Sequence, residues 1–177
     1  MTLGNRLWQG VAVMAAGMLV AGSAIAQVNH NPTTEPRTGP NHLLVFTFNK
    51  PVVSGVATVS EGVATVGAVT VDPSNANSLL VPLTGVTDIQ YVTVDMSAVV
   101  AVDGGTGGVG STRVGFLYGD VNGTRIVAVS DKGLVNAQLG QSVTASNYLL
   151  DVNANGLLAV SDKGIVNVQL GHALPIP

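Results

Sequence analysis

Apolar and polar residues alternate with a period of two along much of residues 41–118. Six short runs rich in Val, Thr and aromatic residues show this alternation or a more continuous apolar form of it. The runs are 43–49, 55–60, 66–71, 78–84, 90–95 and 112–118. Turn residues separate the runs, and no helical period lies between them. The pattern predicts an antiparallel β-sandwich over residues 41–118, with Pro82 indicating an edge strand or a bulge.

From residue 119 onward the pattern changes to loops rich in Asp and Asn, each followed by apolar residues at helical spacing. Residues 120–140 align with residues 151–171, and about two thirds of the aligned positions are identical. Repetition at this level indicates a duplicated structural unit. Each unit is predicted to be one loop and one helix, with Ser130 and Ser161 capping the helix starts.

The N-terminus carries a short apolar stretch. Residues 11–20 follow Arg6, and the stretch closes with small residues at 24–26 before Gln27. These features are typical of a secretory signal peptide, here residues 1–26. A membrane anchor is the alternative, but the run is shorter than the ~20 residues that span a bilayer. We therefore expect a secreted, extracellular or cell-surface protein with no membrane span after cleavage.

Residues 27–40 hold three prolines and few apolar residues, which predicts a flexible leader. Cleavage after Ala26 removes one basic side chain and leaves six basic and ten acidic ones, a formal charge of −4. Because no basic patch is present, nucleic acid is excluded as a partner. The chain has no cysteine, so an exported domain must take its stability from its core or from a metal.

Both loops offer oxygen ligands at the spacing of a twelve-residue calcium loop. Calcium takes six to eight oxygens from loop positions 1, 3, 5, 7, 9 and 12. In loop 1, residues 120–131, the ligands would be Asp120, Asn122, Thr124, the Ile126 carbonyl, a water near Ala128, and Asp131. In loop 2, residues 151–162, they would be Asp151, Asn153, Asn155, the Leu157 carbonyl, a water near Ala159, and Asp162. The alternative is a pair of Asn/Asp-rich turns without metal.

The two loops differ at positions 5 and 6. Thr124 offers a hydroxyl where Asn155 offers an amide, and Arg125 replaces the turn glycine Gly156. A left-handed backbone at a non-glycine residue costs on the order of 1 kcal/mol, and the guanidinium adds positive charge near the cation. We therefore predict two calcium sites, the second binding more strongly. The apolar side chain at position 7 is expected to face the core.

The Gly-Asp-Val-Asn-Gly opening at 119–123, the aspartate at position 12 and the duplicated unit resemble dockerin type I repeats. The resemblance spans residues 118–175 and implies a calcium-binding domain over 119–177. It also implies binding to cohesins, which are β-sandwiches, through helix faces that begin at loop positions 10 and 11. The corresponding residues here are Val129, Ser130, Val160 and Ser161, with Asn136 and Asn167 further along the helices. Cellulosomal dockerins often carry hydroxyl pairs at the first positions, so the Val-Ser pairs indicate a different recognition surface.

The order of features in residues 41–118 resembles bacterial immunoglobulin-like repeats of surface and exported proteins. A strand of the Val-Phe-Thr-Phe-Asn-Lys-Pro-Val type opens the region at 45–52, and Leu-Thr-Gly-Val-Thr-Asp follows at 83–88. Such repeats are usually spacers or adhesive modules. The expected fold class is therefore mainly β with a small α module: an immunoglobulin-like β-sandwich followed by a dockerin-like pair of calcium loop-helix units.

Catalysis is not expected. None of the three histidines lies in a hydrolase-type motif, and the two glutamates, Glu35 and Glu61, do not form the paired acids of a glycosidase. We expect a non-catalytic, calcium-binding docking protein. Its partner would be a cohesin-like or immunoglobulin-like β-sandwich, including another copy of itself in a head-to-tail filament or matrix. The leader could strengthen such a contact by adding a strand to a neighbour's sheet.

The alternative function is an accessory carbohydrate-binding or scaffold component of a polysaccharide-degrading system. Sugar binding by the sandwich would rely on aromatic side chains, which make up 4% of the chain. The single tryptophan, Trp8, lies within the predicted signal peptide. Composition therefore gives this alternative little support.

Overall fold

A computed structural model describes residues 14–20, 23–26, 33–39 and 41–176, and these are mainly β with two short helices. The strands are β1 Met14–Val20, β2 Ser23–Ala26, β3 Thr33–Glu35, β4 Asn41–Phe48, β5 Val52–Glu61, β6 Thr65–Val66, β7 Thr70–Asp72, β8 Asn75–Thr84, β9 Gln90–Ala101 and β10 Gly108–Phe116. The helices are α1 Val129–Ala137 and α2 Val160–Val168, with a 3₁₀ turn at Tyr148–Leu150. Each of the six predicted β runs contains a strand, which confirms a mainly β chain.

The strands form two sheets with the main core between them. One sheet runs β1–β4–β8, with β6 and β7 both paired to the outer edge of β8. The other runs β5–β9–β10, with β2 and β3 on the far edge of β10. The β1–β2 hairpin joins the two sheets at these edges.

Strand β4 shows how the alternating pattern builds the core. Leu44, Phe46 and Phe48 are buried, whereas the residues between them are only half-buried. Burying such a side chain stabilises the fold by about 1.5–3 kcal/mol. The opposing sheet supplies the other side of the core, with Val92, Val94, Met96, Val114 and Phe116.

Pro82 lies in a strand that is paired on both sides, so the expected edge strand was wrong, whereas the expected bulge is present: between the Val66–Leu83 and Thr70–Leu80 pairs, three residues oppose two. Pro82 pairs with Leu43 of β4 on one side of β8. On the other side, pairing with β6 ends at Leu83 and pairing with β7 begins at Leu80. The Gly67 N–H donates to the Pro82 carbonyl at 2.8 Å, so the proline's missing N–H faces this bulge and leaves no bond to β4 unmade.

The predicted signal peptide is described in two parts, strands β1 and β2. Residues 14–17 pair in parallel with residues 45–48 of β4, and Ile25 pairs with Val109 of β10. Residues 1–13, 21 and 22 of the predicted peptide lie outside the described residues. In the part of the chain that is described, no helix is long and apolar enough to cross a membrane.

The predicted flexible leader covers residues 27–40, of which the structure describes 33–39. These residues are ordered against the sandwich and not an independent flexible segment. Strand β3 pairs in parallel with residues 114–116 of β10. Arg37 Nε donates to Glu35 Oε1 at 2.7 Å, and both residues are buried. Buried charges are tolerated when they are paired. The sequence of this segment, polar residues among prolines, did not predict that Glu35 and Arg37 are buried. Their burial is made possible by the ion pair between them and not by apolar side chains.

A second apolar core joins the C-terminal part directly to the sandwich. Tyr91 of β9 packs within it, and a side chain added at Gly115 of β10 would collide with Leu174. The remaining members are Leu117, Val121, Val127, Val135, Val152 and Val166. At the junction, Gly119 has a φ of 90° and lies against Val166, which favours glycine. The loops and helices therefore pack on the end of the sandwich where β9 begins and β10 ends.

Candidate metal centre

Loop 1 folds around the carboxylate of its first residue. The Thr124 N–H donates to Asp120 Oδ1 at 3.0 Å, and the Arg125 N–H donates to Asp120 Oδ2 at 2.9 Å. The Thr124 N–H also donates to Asn122 Oδ1 at 3.0 Å. The side chains at positions 1, 3 and 5 are thereby brought to the inside of one turn.

The carboxylate at position 12 closes loop 1. Asp131 Oδ1 accepts from the Asn122 N–H at 3.1 Å, and Asp131 Oδ2 accepts from the Ala128 N–H at 2.9 Å. Helix α1 begins at Val129, with Ala128 as its N-cap residue. The prediction that Ser130 caps this helix was therefore wrong, because Asp131 takes that role from within the first turn.

Loop 2 repeats this arrangement almost atom for atom. The N–H groups of Asn155 and Gly156 donate to Asp151, and those of Asn153 and Ala159 donate to Asp162, at 3.0, 2.8, 3.1 and 2.9 Å. Each distance is within 0.1 Å of its counterpart in loop 1. Helix α2 begins at Val160 with Ala159 as N-cap, so Ser161 is not the cap either. The structure therefore brings the predicted ligand residues together in both loops.

The carboxylates of both loops are buried. Burial raises the pKa of Asp120, with a further rise from the Asp131 charge, against the lowering effect of the N–H groups of Arg125 and Thr124. Burial likewise raises the pKa of Asp151. A buried carboxylate with a raised pKa is one whose charged form is poorly stabilised, so a bound cation would relieve it.

The donor set fits calcium. Carboxylate, amide, hydroxyl and carbonyl oxygens are the ligands of a hard cation, whereas zinc favours nitrogen and sulfur. Within the described ranges, no three His, Cys, Asp or Glu side chains gather as metal ligands. Each loop supplies two carboxylates, and its other predicted ligands are neutral oxygens.

Both loops use a left-handed backbone at positions 4 and 6. In loop 1 these are Gly123 at φ 70° and Arg125 at φ 69°; in loop 2 they are Ala154 at φ 54° and Gly156 at φ 86°. Each loop therefore holds one strained non-glycine residue. The sequence argument assigned strain to Arg125 alone and missed Ala154, because the alignment shows residue types but not the conformation at position 4.

Position 5 distinguishes the loops more sharply. The Thr124 hydroxyl donates to the Ile126 carbonyl at 3.2 Å, so one predicted ligand is bonded to another. In loop 2 the Asn155 side-chain oxygen instead accepts from the Leu157 N–H at 2.9 Å, which leaves the Leu157 carbonyl outside that bond. Loop 1 must therefore reorganise more than loop 2 to direct both oxygens at an ion.

The side chains at position 7 do not face the core as expected. Ile126 and Leu157 are 46% and 63% exposed, whereas Val127 and Leu158 at position 8 are buried. The residue at position 8 faces inward because the backbone at positions 7 and 8 is extended and forms a short β-bridge with another segment. Successive side chains alternate along such a pairing.

Each loop pairs with the chain that follows the other unit's helix. Ile126 of loop 1 is bridged to Ala173, and Leu157 of loop 2 is bridged to Ser142. The Gly140 N–H also donates to the Leu158 carbonyl at 2.8 Å. The two units therefore interlock, and neither loop is held by its own unit alone.

The residues predicted to contact a partner lie at the surface. Val129 and Val160, the first residues of the two helices, are 74% and 70% exposed. Ser130 Oγ accepts from Asn122 Nδ2 at 3.2 Å, and the same bond between Ser161 and Asn153 measures 3.0 Å. The serines thus orient the amide at loop position 3, a role that sequence reasoning did not assign.

The predicted partner residues Asn136 and Asn167 connect the two helices. Lys163 Nζ donates to Asn136 Oδ1 at 2.9 Å, and Lys132 Nζ donates to Asn167 Oδ1 at 2.6 Å. These reciprocal bonds hold α1 and α2 in one exposed surface.

Residues outside the repeats also approach the loops. The Thr38 N–H and hydroxyl both donate to the Val152 carbonyl, at 2.6 and 3.1 Å. The Arg37 guanidinium lies 5.2 Å from the centre of the Tyr148 ring, just before loop 2. The pattern of residues 33–39 carries no signal for these contacts, which depend on the tertiary fold.

Comparisons with known proteins are sparse. The chain matches no protein-family model and no curated protein. Among solved structures it is similar to the cysteine protease inhibitor EhICP2 from Entamoeba histolytica, with a TM-score of 0.30 and 8% identity. That match covers 59% of this chain and 97% of the inhibitor. A likeness at this level carries no argument about fold or function.

Proposed function

We propose that this chain is a secreted, non-catalytic docking protein whose residues 119–177 form a dockerin-like module that binds two Ca²⁺ ions. The observation that carries the proposal is the repeated cage, in which two loops enclose buried aspartates through matching bonds. Loop 1 would hold its ion through Asp120, Asn122, Thr124, the Ile126 carbonyl and Asp131. Loop 2 would use Asp151, Asn153, Asn155, the Leu157 carbonyl and Asp162.

Calcium would act here as a folding ligand. Each ion would neutralise two buried carboxylates, whose charged forms are otherwise costly to keep out of water. Metal that binds only the folded loops stabilises them by mass action. The two units interlock through the Ile126–Ala173 and Ser142–Leu157 bridges. We therefore expect loss of either ion to loosen the whole module.

The docking surface that we propose is the exposed face of the helix pair; because α1 and α2 are antiparallel, the start of each helix lies at one end of this face. Val129 and Val160 are exposed apolar side chains of that surface, beside Ser130 and Ser161. Exposed apolar side chains at both ends of one polar face suit contact with a protein partner. The predicted partner is a β-sandwich.

Charge favours a second copy of the chain as that partner. Residues 119–177 carry three basic and four acidic side chains, so two Ca²⁺ ions would change the side-chain charge from −1 to +3. Residues 33–118 carry three basic and six acidic side chains, a charge of −3. Calcium loading would therefore turn repulsion between module and sandwich into attraction.

The far end of the sandwich offers a matching surface. Val53 and Val102 are exposed there, beside the ion pair of Asp103 with Lys50, at 2.8 Å. The C-terminal module packs on the opposite end, against Tyr91 and Gly115. A contact from the module of one copy to the far end of the next is heterologous and does not close, so it would produce a filament.

Export would change the sheet edges. Removal of residues 1–26 would take away β1 and β2, which cover the edges of β4 and β10. The N-terminus of the exported protein, read by mass spectrometry, is expected at Gln27. Retention of residues 14–26 would instead make these strands a permanent part of the two sheets.

Light scattering with calcium and then with EDTA tests the docking proposal. We expect calcium to raise the average mass with protein concentration and EDTA to reverse the change. The double substitution V129D/V160D should abolish assembly, since it puts charge on the docking surface. V63D, at an exposed sandwich residue, is the matched control. A calcium-loaded monomer at high concentration would contradict self-assembly.

A further inference from the structure

Residues 34–38, here called the bridging segment, run between the sandwich and both loops. The Leu117 N–H donates to the Glu35 carbonyl at 3.2 Å, and the Gly119 N–H donates to the Pro36 carbonyl at 2.8 Å. These bonds align the segment with the stretch of chain that leads from β10 into loop 1. The segment therefore fixes the direction in which loop 1 begins.

The bridging segment approaches the first ligand of loop 1 through Thr34. The Thr34 hydroxyl is buried and has no hydrogen-bond partner among the residues that the structure describes. Thr34 pairs with Gly115 of β10 and lies two residues before Pro36, whose carbonyl accepts from the Gly119 N–H next to Asp120. A buried hydroxyl with an unused proton, this close in the fold to the start of loop 1, is available to donate to an acceptor there.

The bridging segment also holds the start of loop 2. Thr38 makes two bonds to the carbonyl of Val152, the second residue of that loop. The Arg37 guanidinium lies 5.2 Å from the centre of the Tyr148 ring, three residues before loop 2 begins. Loop 2 is thus anchored by residues more than a hundred positions away in the sequence.

An internal ion pair gives the bridging segment its rigidity. Glu35 accepts from the Arg37 backbone N–H at 2.9 Å and from its guanidinium at 2.7 and 3.2 Å. The two side chains are only 0% and 7% exposed. Replacing one partner would leave an uncompensated buried charge, so breaking this pair is costly. The pair therefore keeps the backbone between Thr34 and Thr38 in one conformation.

We propose that the bridging segment is an outer shell shared by both calcium sites, which makes the sandwich and the two ions one cooperative unit. This inference rests on the proposed calcium binding. Thr34 is a positioning residue for Asp120, and Thr38 with Arg37 positions the start of loop 2. Calcium affinity should therefore depend on residues that lie outside both loops, as outer-shell partners commonly affect metal sites.

Amide hydrogen exchange tests the coupling directly. We expect the Thr38 amide, which donates to Val152, to exchange slowly with calcium and at least tenfold faster in EDTA. The Val94 amide, in the centre of the sandwich, is the internal control and should change little. Equal protection of Thr38 in both conditions would overturn the coupling.

Calorimetric titration of full-chain variants tests the shell. Outer-shell changes cost about 10–100-fold in metal affinity, so we expect about tenfold weaker binding at site 1 in T34V and at site 2 in T38V. R37M should weaken site 2 further. T58V, on an exposed part of β5, should match the parent chain.

T34V and T38V keep the side-chain volume of threonine, so they test whether the bridging segment affects calcium affinity even if R37M does not fold. Parental affinity at both sites in T34V and T38V would overturn the shared shell while leaving calcium binding intact. Failure of the parent chain to bind calcium would overturn the proposed function, and the shared shell with it.

Discussion

The two loops share one backbone but not one set of ligands. Their carboxylates at positions 1 and 12 accept the same four backbone bonds at nearly the same distances. They differ at position 5, which is Thr124 in loop 1 and Asn155 in loop 2. They also differ in the place of the glycine, which is at position 4 in loop 1 and at position 6 in loop 2. A repeat can therefore preserve its cage while the side chains at single positions change.

Backbone strain does not separate the loops. Arg125 in loop 1 and Ala154 in loop 2 each adopt a left-handed conformation, at about 1 kcal/mol apiece. These costs cancel in the comparison. The expected difference in affinity is therefore carried by the Thr124 hydroxyl, which bonds to the Ile126 carbonyl, and by the charge of Arg125.

The largest expected effect is the loss of one ion. D151A should remove the stronger site and D120A the weaker one. At a calcium concentration of 100 times Kd, an ion stabilises the folded state by about 2.7 kcal/mol. D151A should therefore lower the calcium-dependent melting temperature more than D120A, with D72A in an exposed turn as control. A larger loss from D120A would reverse the comparison.

Exchanging the differing residues should bring the two affinities together. T124N/R125G makes positions 5 and 6 of loop 1 identical to those of loop 2. We expect about tenfold tighter binding at site 1, since an amide ligand replaces the hydroxyl and the Arg125 charge is removed. The converse N155T should weaken site 2. Unchanged affinity in both variants would locate the difference elsewhere in the loops.

The smallest expected effect concerns strain at position 4. A154G should stabilise the folded protein by about 0.5–1 kcal/mol, because glycine adopts this conformation freely. The matched change G123A should destabilise it by a similar amount, since an added Cβ meets no neighbouring atoms and only backbone strain remains. Denaturant unfolding measures both. Destabilisation by A154G would show that the left-handed conformation is not costly there.

Short-range features of the fold could be predicted from the sequence. The period-two runs predict strands because burial alternates along each strand, as in residues 41–48. The loop spacing predicts the cage because its bonds join residues at most nine positions apart. Both depend on the order of residue types within a single element.

Features that depend on distant partners could not be predicted. Glu35 and Arg37 are of a type that is mostly exposed, and only their pairing permits burial beside the loops. Pro82 predicted a bulge, but not that the residues between β6 and β7 would form it opposite a central strand. The conformation of Ala154 follows from the loop as a whole and not from its own preference.

A calorimetric calcium titration of the full chain tests the central claim most directly. We expect two ions bound per chain with unequal affinities, D151A abolishing the tighter event and D120A the weaker one. We also expect a higher melting temperature in calcium than in EDTA. No heat of binding and an unchanged melting temperature would contradict the existence of a calcium-binding module.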